Sequence, residues 1–132
     1  MSVHVDSNVL IDLLGAPNSW TDWAGEVLGA HLNQGLACSP IVWSETSAFF
    51  SAQDRFDKAL AVLGVVLVHP SREALFMAAR VHLEYRRRGG TRTGTLPDFL
   101  IGAQALTEGA RLITRDTARY RTYFPDLELI TP

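Results

Sequence analysis

Residues 2–15 read SVHVDSNVLIDLLG. Residues 2–5 alternate in the period of a strand and end at Asp6. The next stretch, SNVLIDLLG, changes to a helical spacing, opened by a small polar cap and closed by Gly15. A carboxylate therefore stands where a strand hands over to a helix. The same alternation continues along the chain. After the break at Pro17–Asn18, residues 19–34 read as a helix, with Trp20, Trp23, Val27, Leu28 and His31 along one side. LACS (36–39) reads as a second strand, and Ser39–Pro40 as a helix start, a cap followed by proline in the first turn. DRFDKALAVL (54–63) is helical, with Asp54 and Asp57 at the spacing of a reciprocal N-terminal cap.

GVVLVHP (64–70) reads as a buried strand between Gly64 and Pro70. SREALFMAARVHLEYRRR is a long helix stopped by Gly89 and Gly90, and GGTRTGT is a loop. PDFLIGAQALTEG is helical, ARLITRD is a strand ending in an acid, TARYRTYF a short helix and LELITP a last strand. Strands alternating with helices predict a three-layer α/β/α sandwich around a mainly parallel central sheet of about five strands. Such sheets bind ligands beyond the carboxyl ends of their strands, where strand order reverses. By sequence, Asp6 and Asp116 both stand at strand ends.

The 132 residues fit one domain spanning 1–132, and a hydrophobic content of 47% is enough for a core. The single cysteine, Cys38, excludes an internal disulfide and a cysteine-based metal cluster, and is expected to be buried. No apolar run approaches the roughly 20 residues of a membrane span. The start, MSVHVDSNVL, lacks the basic region and apolar segment of a signal peptide. A reduced, cytoplasmic location is the expectation.

Charge is distributed unevenly along the chain. Residues 1–79 carry three basic groups against eight acids, whereas 80–121 carry nine arginines against four acids. Eleven of the twelve basic residues are arginine, the side chain suited to bidentate pairing with phosphate or carboxylate. RRRGGTR (86–92), with Arg86, Arg87, Arg88 and Arg92, is a basic cluster at a glycine-containing loop. It reads either as a solvated face or as a grip for an anionic polymer. Arg115, Arg119 and Arg121 flank the late acids and are candidates for the same grip, with Arg115 and Arg119 reading equally as partners of local carboxylates.

Four acids remain to be explained. Read as a helix, SPIVWSETSAFF (39–50) places Ile41, Glu45 and Phe49 on one line, with an acid inside an apolar stripe. A carboxylate buried there is costly unless a partner or a metal holds it. Asp6 reads alternatively as a helix cap, Asp98 as an acid favoured by its helix dipole, and Asp116 as a cap for TARYRTYF. Together, four converging carboxylates repel unless cations offset them. Hard divalent ions such as Mg²⁺ or Mn²⁺ accept all-oxygen ligands, and share sites with phosphates.

Other chemistries fit less well. The histidines (His4, His31, His69, His82) show no metal-ligand spacing and read as structural or surface residues. DSNVL lacks the second aspartate of a haloacid dehalogenase-type phosphatase. No GxxxxGK[ST] loop is present, and the only lysine, Lys58, is misplaced for a response-regulator receiver.

In VDSNVLIDLL, SPIVWSETSAFF, LPDFLIGAQAL and LITRDTARYRTYFPDLELITP, the chain resembles the PIN domain family over nearly its whole length, and within it the VapC-type toxins. The resemblance implies a metal-dependent ribonuclease of a toxin–antitoxin pair that leaves a 3′ hydroxyl and a 5′ phosphate. It matches Asp6, Glu45, Asp98 and Asp116 to the acids that gather Mg²⁺ or Mn²⁺, with Asp6 and Asp98 as direct ligands. Glu45 and Asp116 would bind directly or through water. Ser7, Asn8 and Thr114 match supporting polar positions, each also readable as a cap or strand-end residue. The implied partners are RNA, a VapB-like antitoxin that sends an arginine into the acidic pocket, and a second copy in a homodimer. Two alternatives remain: a PIN nuclease with an RNA-processing role, and a non-catalytic binding module of the same fold.

Overall fold

The structure, a computed structural model, describes residues 2–132. Five strands form one sheet: β1 (Val3–Val5), β2 (Leu36–Cys38), β3 (Val65–Leu67), β4 (Arg111–Ile113) and β5 (Leu129–Ile130). Among the described residues the helices are α1 (Ser7–Leu14), α2 (Thr21–His31), α3 (Pro40–Ser47), α4 (Gln53–Leu63), α5 (Arg72–Arg87), α6 (Leu96–Thr107) and α7 (Ala118–Tyr123). Every strand pairing is parallel, in the order β3-β2-β1-β4-β5, as the strand–helix alternation predicts. The chain builds outward from β1 to β3, then returns to β1's other side with β4. The reversal therefore falls between β1 and β4, where Val5 lies opposite Ile113.

Local chemistry explains most boundaries. Asp6 is itself the cap of α1, its Oδ1 accepting from Ser7 N, while the Gly15 N–H closes the helix on Ile11 O. Ser39 caps α3 by accepting from Val42 N at 3.2 Å, and Ser71 caps α5 by accepting from Ala74 N at 3.1 Å. Gly64 ends α4 in the left-handed conformation, φ 71°, which a side chain disfavours.

The central strands β1 and β2 are wholly buried, and their valines, leucines and Cys38 join Val9, Leu10, Phe56, Phe99, Leu112 and Phe124 in the core. Burial pushes the Cys38 thiol up to about 12, so it stays a small apolar group. Helix α5 packs along α6, and α6 meets β4 and α7. Helix α1 packs on α2 and α3, and α4 on β3.

Three local expectations fail. The strand expected to be buried at 64–70 is the sheet edge: Val65 is buried, but Val66 and Leu67 face solvent. An apolar run does not tell a central strand from an edge. Helix α4 begins at Gln53 with Ala52 at its cap and no side-chain cap, so Asp54 and Asp57 do not form a reciprocal cap; Asp57 instead accepts from Gln53 Nε2. The helix expected over 19–34 stops at His31 and tightens into a 3-10 turn at Leu32–Gln34. Among the described residues, no helix is long and apolar enough to cross a membrane.

Candidate active site

The β1–β4 pairing brings residues more than a hundred positions apart into contact. Asp6 N donates to Ile113 O at 2.9 Å, which sets Asp6 beside Thr114 at the carboxyl ends of both strands. Asp6 Oδ2 then collects three donors: Thr114 Oγ1 at 2.8 Å, Tyr120 OH at 3.0 Å and Asn8 Nδ2 at 3.4 Å. Oδ1 takes one, from Ser7 N at 2.8 Å. Asn8 also reaches Thr114 Oγ1 at 3.3 Å and accepts from Arg115 N at 3.2 Å. Thus Asn8 and Thr114 hold Asp6 with their side chains, and Ser7 with its backbone.

Asp6 is only 4% exposed. Burial pushes its carboxyl up to about 6; the bonds from Thr114, Ser7 and Tyr120 oppose the shift, and the charge of Asp98 adds to it. The buried Tyr120 phenol is held protonated by desolvation and by Asp6, so it remains a donor.

Asp98 sits in the first turn of α6. Burial raises its pKa, the Arg119 guanidinium pulls it back, and the charges of Asp116 and Glu45 raise it further. Asp98 is therefore the acid linked by charge to the other three: it acts on Asp6, and Asp116 and Glu45 act on it. Asp116 is exposed, and its N–H donates to Thr114 Oγ1 at 3.0 Å.

Glu45 departs from its predicted surroundings. It is exposed, Phe49 is 63% exposed, and α3 ends at Ser47, before Phe49 is reached. The buried line of α3 is Val42 and Thr46 instead. Glu45 bears no burial cost, so its presence on an apolar line is not an argument for function. Its charge acting on Asp98 is what joins it to the site.

The arginines divide. Arg115 is committed to Asp12, with Nε to Oδ2 at 2.5 Å and Nη2 to Oδ1 at 3.1 Å, and lies 5.0 Å over the Trp20 ring. Arg119 Nη1 donates to Asp98 Oδ2. Arg86, Arg87, Arg88 and Arg92 are exposed at the end of α5 and in the following loop. Arg88 pairs with Glu84 at 3.0 Å and lies 5.5 Å over the Tyr123 ring. Arg92 anchors the loop by donating its N–H to Tyr85 OH at 3.0 Å.

The donor set fits a hard divalent cation: every candidate ligand is a carboxylate, Asp6 Oδ1 carries a single donor, and like charge from neighbouring acids adds to the raised pKa of both Asp6 and Asp98. The cage is not pre-assembled. Among the described residues, no three metal-ligating side chains are gathered for a cation, and Asp98 is paired with Arg119.

Tyr120 and the Asp12–Arg115 pair were not singled out in the sequence. Nothing local signals either: Tyr120 meets Asp6 across 114 positions, and Arg115 meets Asp12 across 103. His4 is buried against Glu108 Oε1 at 2.8 Å, a structural role as expected.

Among solved structures, the chain is similar to VapBC2 from Rickettsia felis bound to a promoter DNA fragment, with 18% identity, a TM-score of 0.76, and coverage of 100% of this chain and 99% of that one. A toxin–antitoxin complex from Klebsiella pneumoniae is similar at 25% identity and a TM-score of 0.70, covering 98% and 97%. VapBC-1 from nontypeable Haemophilus influenzae is similar at 18% identity and a TM-score of 0.71, covering 99% and 98%. No curated protein matches the sequence. The PIN domain family matches residues 3–125, a span that holds β1 to β4 and the strand-end acids, with β5 following it. The chain belongs to the PIN domain family.

Proposed function

We propose that the protein is an endoribonuclease dependent on Mg²⁺ or Mn²⁺ that acts as the toxin of a toxin–antitoxin pair. The observation that carries this is Asp6: a carboxylate buried at the strand-order reversal, oriented by four donors and electrostatically coupled to Asp98. Asp6 and Asp98 would hold the cation, with Glu45 and Asp116 completing the acidic ring directly or through water. When bound, such an ion lowers the pKa of water and stabilises charge on a phosphodiester.

The chain's own residues supply the rest. Thr114, Tyr120 and Asn8 fix Asp6 so that its free lone pair faces a defined direction. Glu45 and Asp116, both exposed, would orient water at the edge of the pocket. Arg86, Arg87, Arg88 and Arg92 grip the RNA backbone, whereas Arg115 pairs with Asp12. The solved complexes similar to the chain include toxin–antitoxin assemblies, which supports a VapB-like antitoxin partner. A homodimer and a cytoplasmic location belong to the same reading.

The test is incubation of the pure protein with single-stranded RNA, with and without Mg²⁺ or Mn²⁺. Metal-dependent cleavage that is lost in Asp6→Asn and Asp98→Asn is expected. Cleavage that persists in chelator or in both variants overturns the mechanism. The pairing of Asp98 with Arg119 favours a second reading, a non-catalytic binding module. In that case no divalent ion binds and no RNA is cut.

A further inference from the structure

Arg119 stands at an unusual junction. Its side chain is 15% exposed, and its guanidinium donates to Asp98 Oδ2 from α7, which places a fixed positive charge on the carboxylate linked by charge to the other acids. Asp116 and Glu45 press on Asp98 with like charge, and Arg119 opposes them. Arg119 also lines a surface cleft of about 250 Å³, together with Tyr85, Arg92, Asp116, Thr122 and Tyr123. One side chain therefore borders two environments, an acid that suits a cation and a cleft already carrying a second arginine.

A guanidinium and a divalent ion compete for the same carboxylate oxygens, because each satisfies the same charge and lone pairs. We propose that Arg119 is a two-position arginine. Without a divalent cation it is the built-in counter-ion of Asp98. When a cation takes that carboxylate, Arg119 turns into the adjoining cleft beside Arg92. There the two guanidinium forks make a phosphate-binding pair next to the acids. The same side chain thus suppresses repulsion in the empty pocket and contributes to phosphate binding in the loaded one. The two states are linked: whatever Arg119 contributes at Asp98 is lost from the affinity for the cation. This rests on the nuclease reading to the extent that Asp98 accepts a divalent ion.

The experiment is Mn²⁺ titration of the full chain, following free Mn²⁺ by electron paramagnetic resonance, in the wild type, Arg119→Gln, Asp98→Asn and the double variant. Arg119→Gln is expected to bind Mn²⁺ about tenfold more tightly, as loss of a charged hydrogen bond implies. That gain is expected to vanish when Asp98 is already Asn. Equal or weaker Mn²⁺ binding by Arg119→Gln, with Asp98→Asn still lowering affinity, overturns the two-position role and leaves the nuclease reading intact. Absence of Mn²⁺ binding at millimolar concentration in both wild type and Arg119→Gln overturns the nuclease reading, and this role with it. A wild-type measurement guards against a variant that does not fold. On Mg²⁺ titration the Arg119 Nε–H resonance is expected to shift to that seen in Asp98→Asn, and an unmoved resonance at saturation overturns the proposal.

Discussion

The Tyr120 hydroxyl donates to Asp6 Oδ2 at 3.0 Å, joining α7 to the end of β1 across 114 positions. Both partners are buried, and the phenol stays protonated. This contact ties the last helix to the first strand at the point where the sheet reverses its order. It also makes Tyr120 part of the support for a carboxylate assigned to the candidate site.

Tyr120→Phe keeps the ring and removes the donor. A buried carboxylate then has one hydrogen bond fewer, and the Asp6 pKa is expected to rise further. The cost is about 1–3 kcal/mol at neutral pH. Urea unfolding at pH 7.5 and pH 4.5 checks it, with the larger loss expected at pH 7.5, where Asp6 is charged.

The metal-free protein is expected to become more stable on acidification from pH 7.5 to 4.5. Asp6 rises from its ordinary 3.8 to about 6 in the folded chain, so the folded state binds the proton more tightly than the unfolded state does. That contribution is fully present below about pH 4 and is lost as pH rises through about 6, on the order of 3 kcal/mol in total. Burial raises Asp98 as well, in the same sense. Asp6→Asn is expected to flatten the profile. Parallel unfolding curves for the wild type and Asp6→Asn across this range would refute the assignment.

Arg115→Ala leaves Asp12, with 4% of its side chain exposed, without its cation. Removing one partner of such a pair costs about 3 kcal/mol, because the remaining charge stays desolvated. Arg92→Ala, on the exposed loop, is expected to leave stability within about 0.5 kcal/mol while weakening RNA binding. Thermal melts and fluorescence anisotropy with labelled RNA separate the two.

Glu45→Gln is expected to abolish metal-dependent cleavage with a stability change within about 0.5 kcal/mol, since the side chain is exposed. Intact cleavage in this variant would remove Glu45 from the acidic ring and leave three acids to carry it.

Gly102→Ala is expected to destabilise the fold, although alanine is the better helix former by about 1 kcal/mol. A Cβ at position 102 would meet the Phe124 ring at 2.6 Å in the core. Overpacking of this kind costs about 1–3 kcal/mol. Denaturant midpoints check the sign.

The strand-end acids are legible because the hydrophobic period changes from two to about 3.6 at Asp6, and because Asp116 follows the apolar strand RLIT. Helical spacing carried through Phe49 predicts an apolar line around Glu45, but α3 stops at Ser47. Composition did not separate Arg115 from Arg119. One stacks on Trp20 and closes on a buried acid near α1, while the other faces the candidate site. The strand at 64–70 was apolar enough for the core but became an edge.

By itself the sequence determined the alternation of strands and helices, the parallel sheet that follows from it, and the placing of acids at strand ends. These are consequences of periodicity, caps and breakers, which act within a turn or two of the chain. Tertiary structure alone decided that β4 lies against β1, that Thr114 and Tyr120 hold Asp6, and that Arg119 rather than Arg115 meets Asp98. Those outcomes depend on which distant surfaces pack together and which buried charges find partners, and no local spacing encodes that choice.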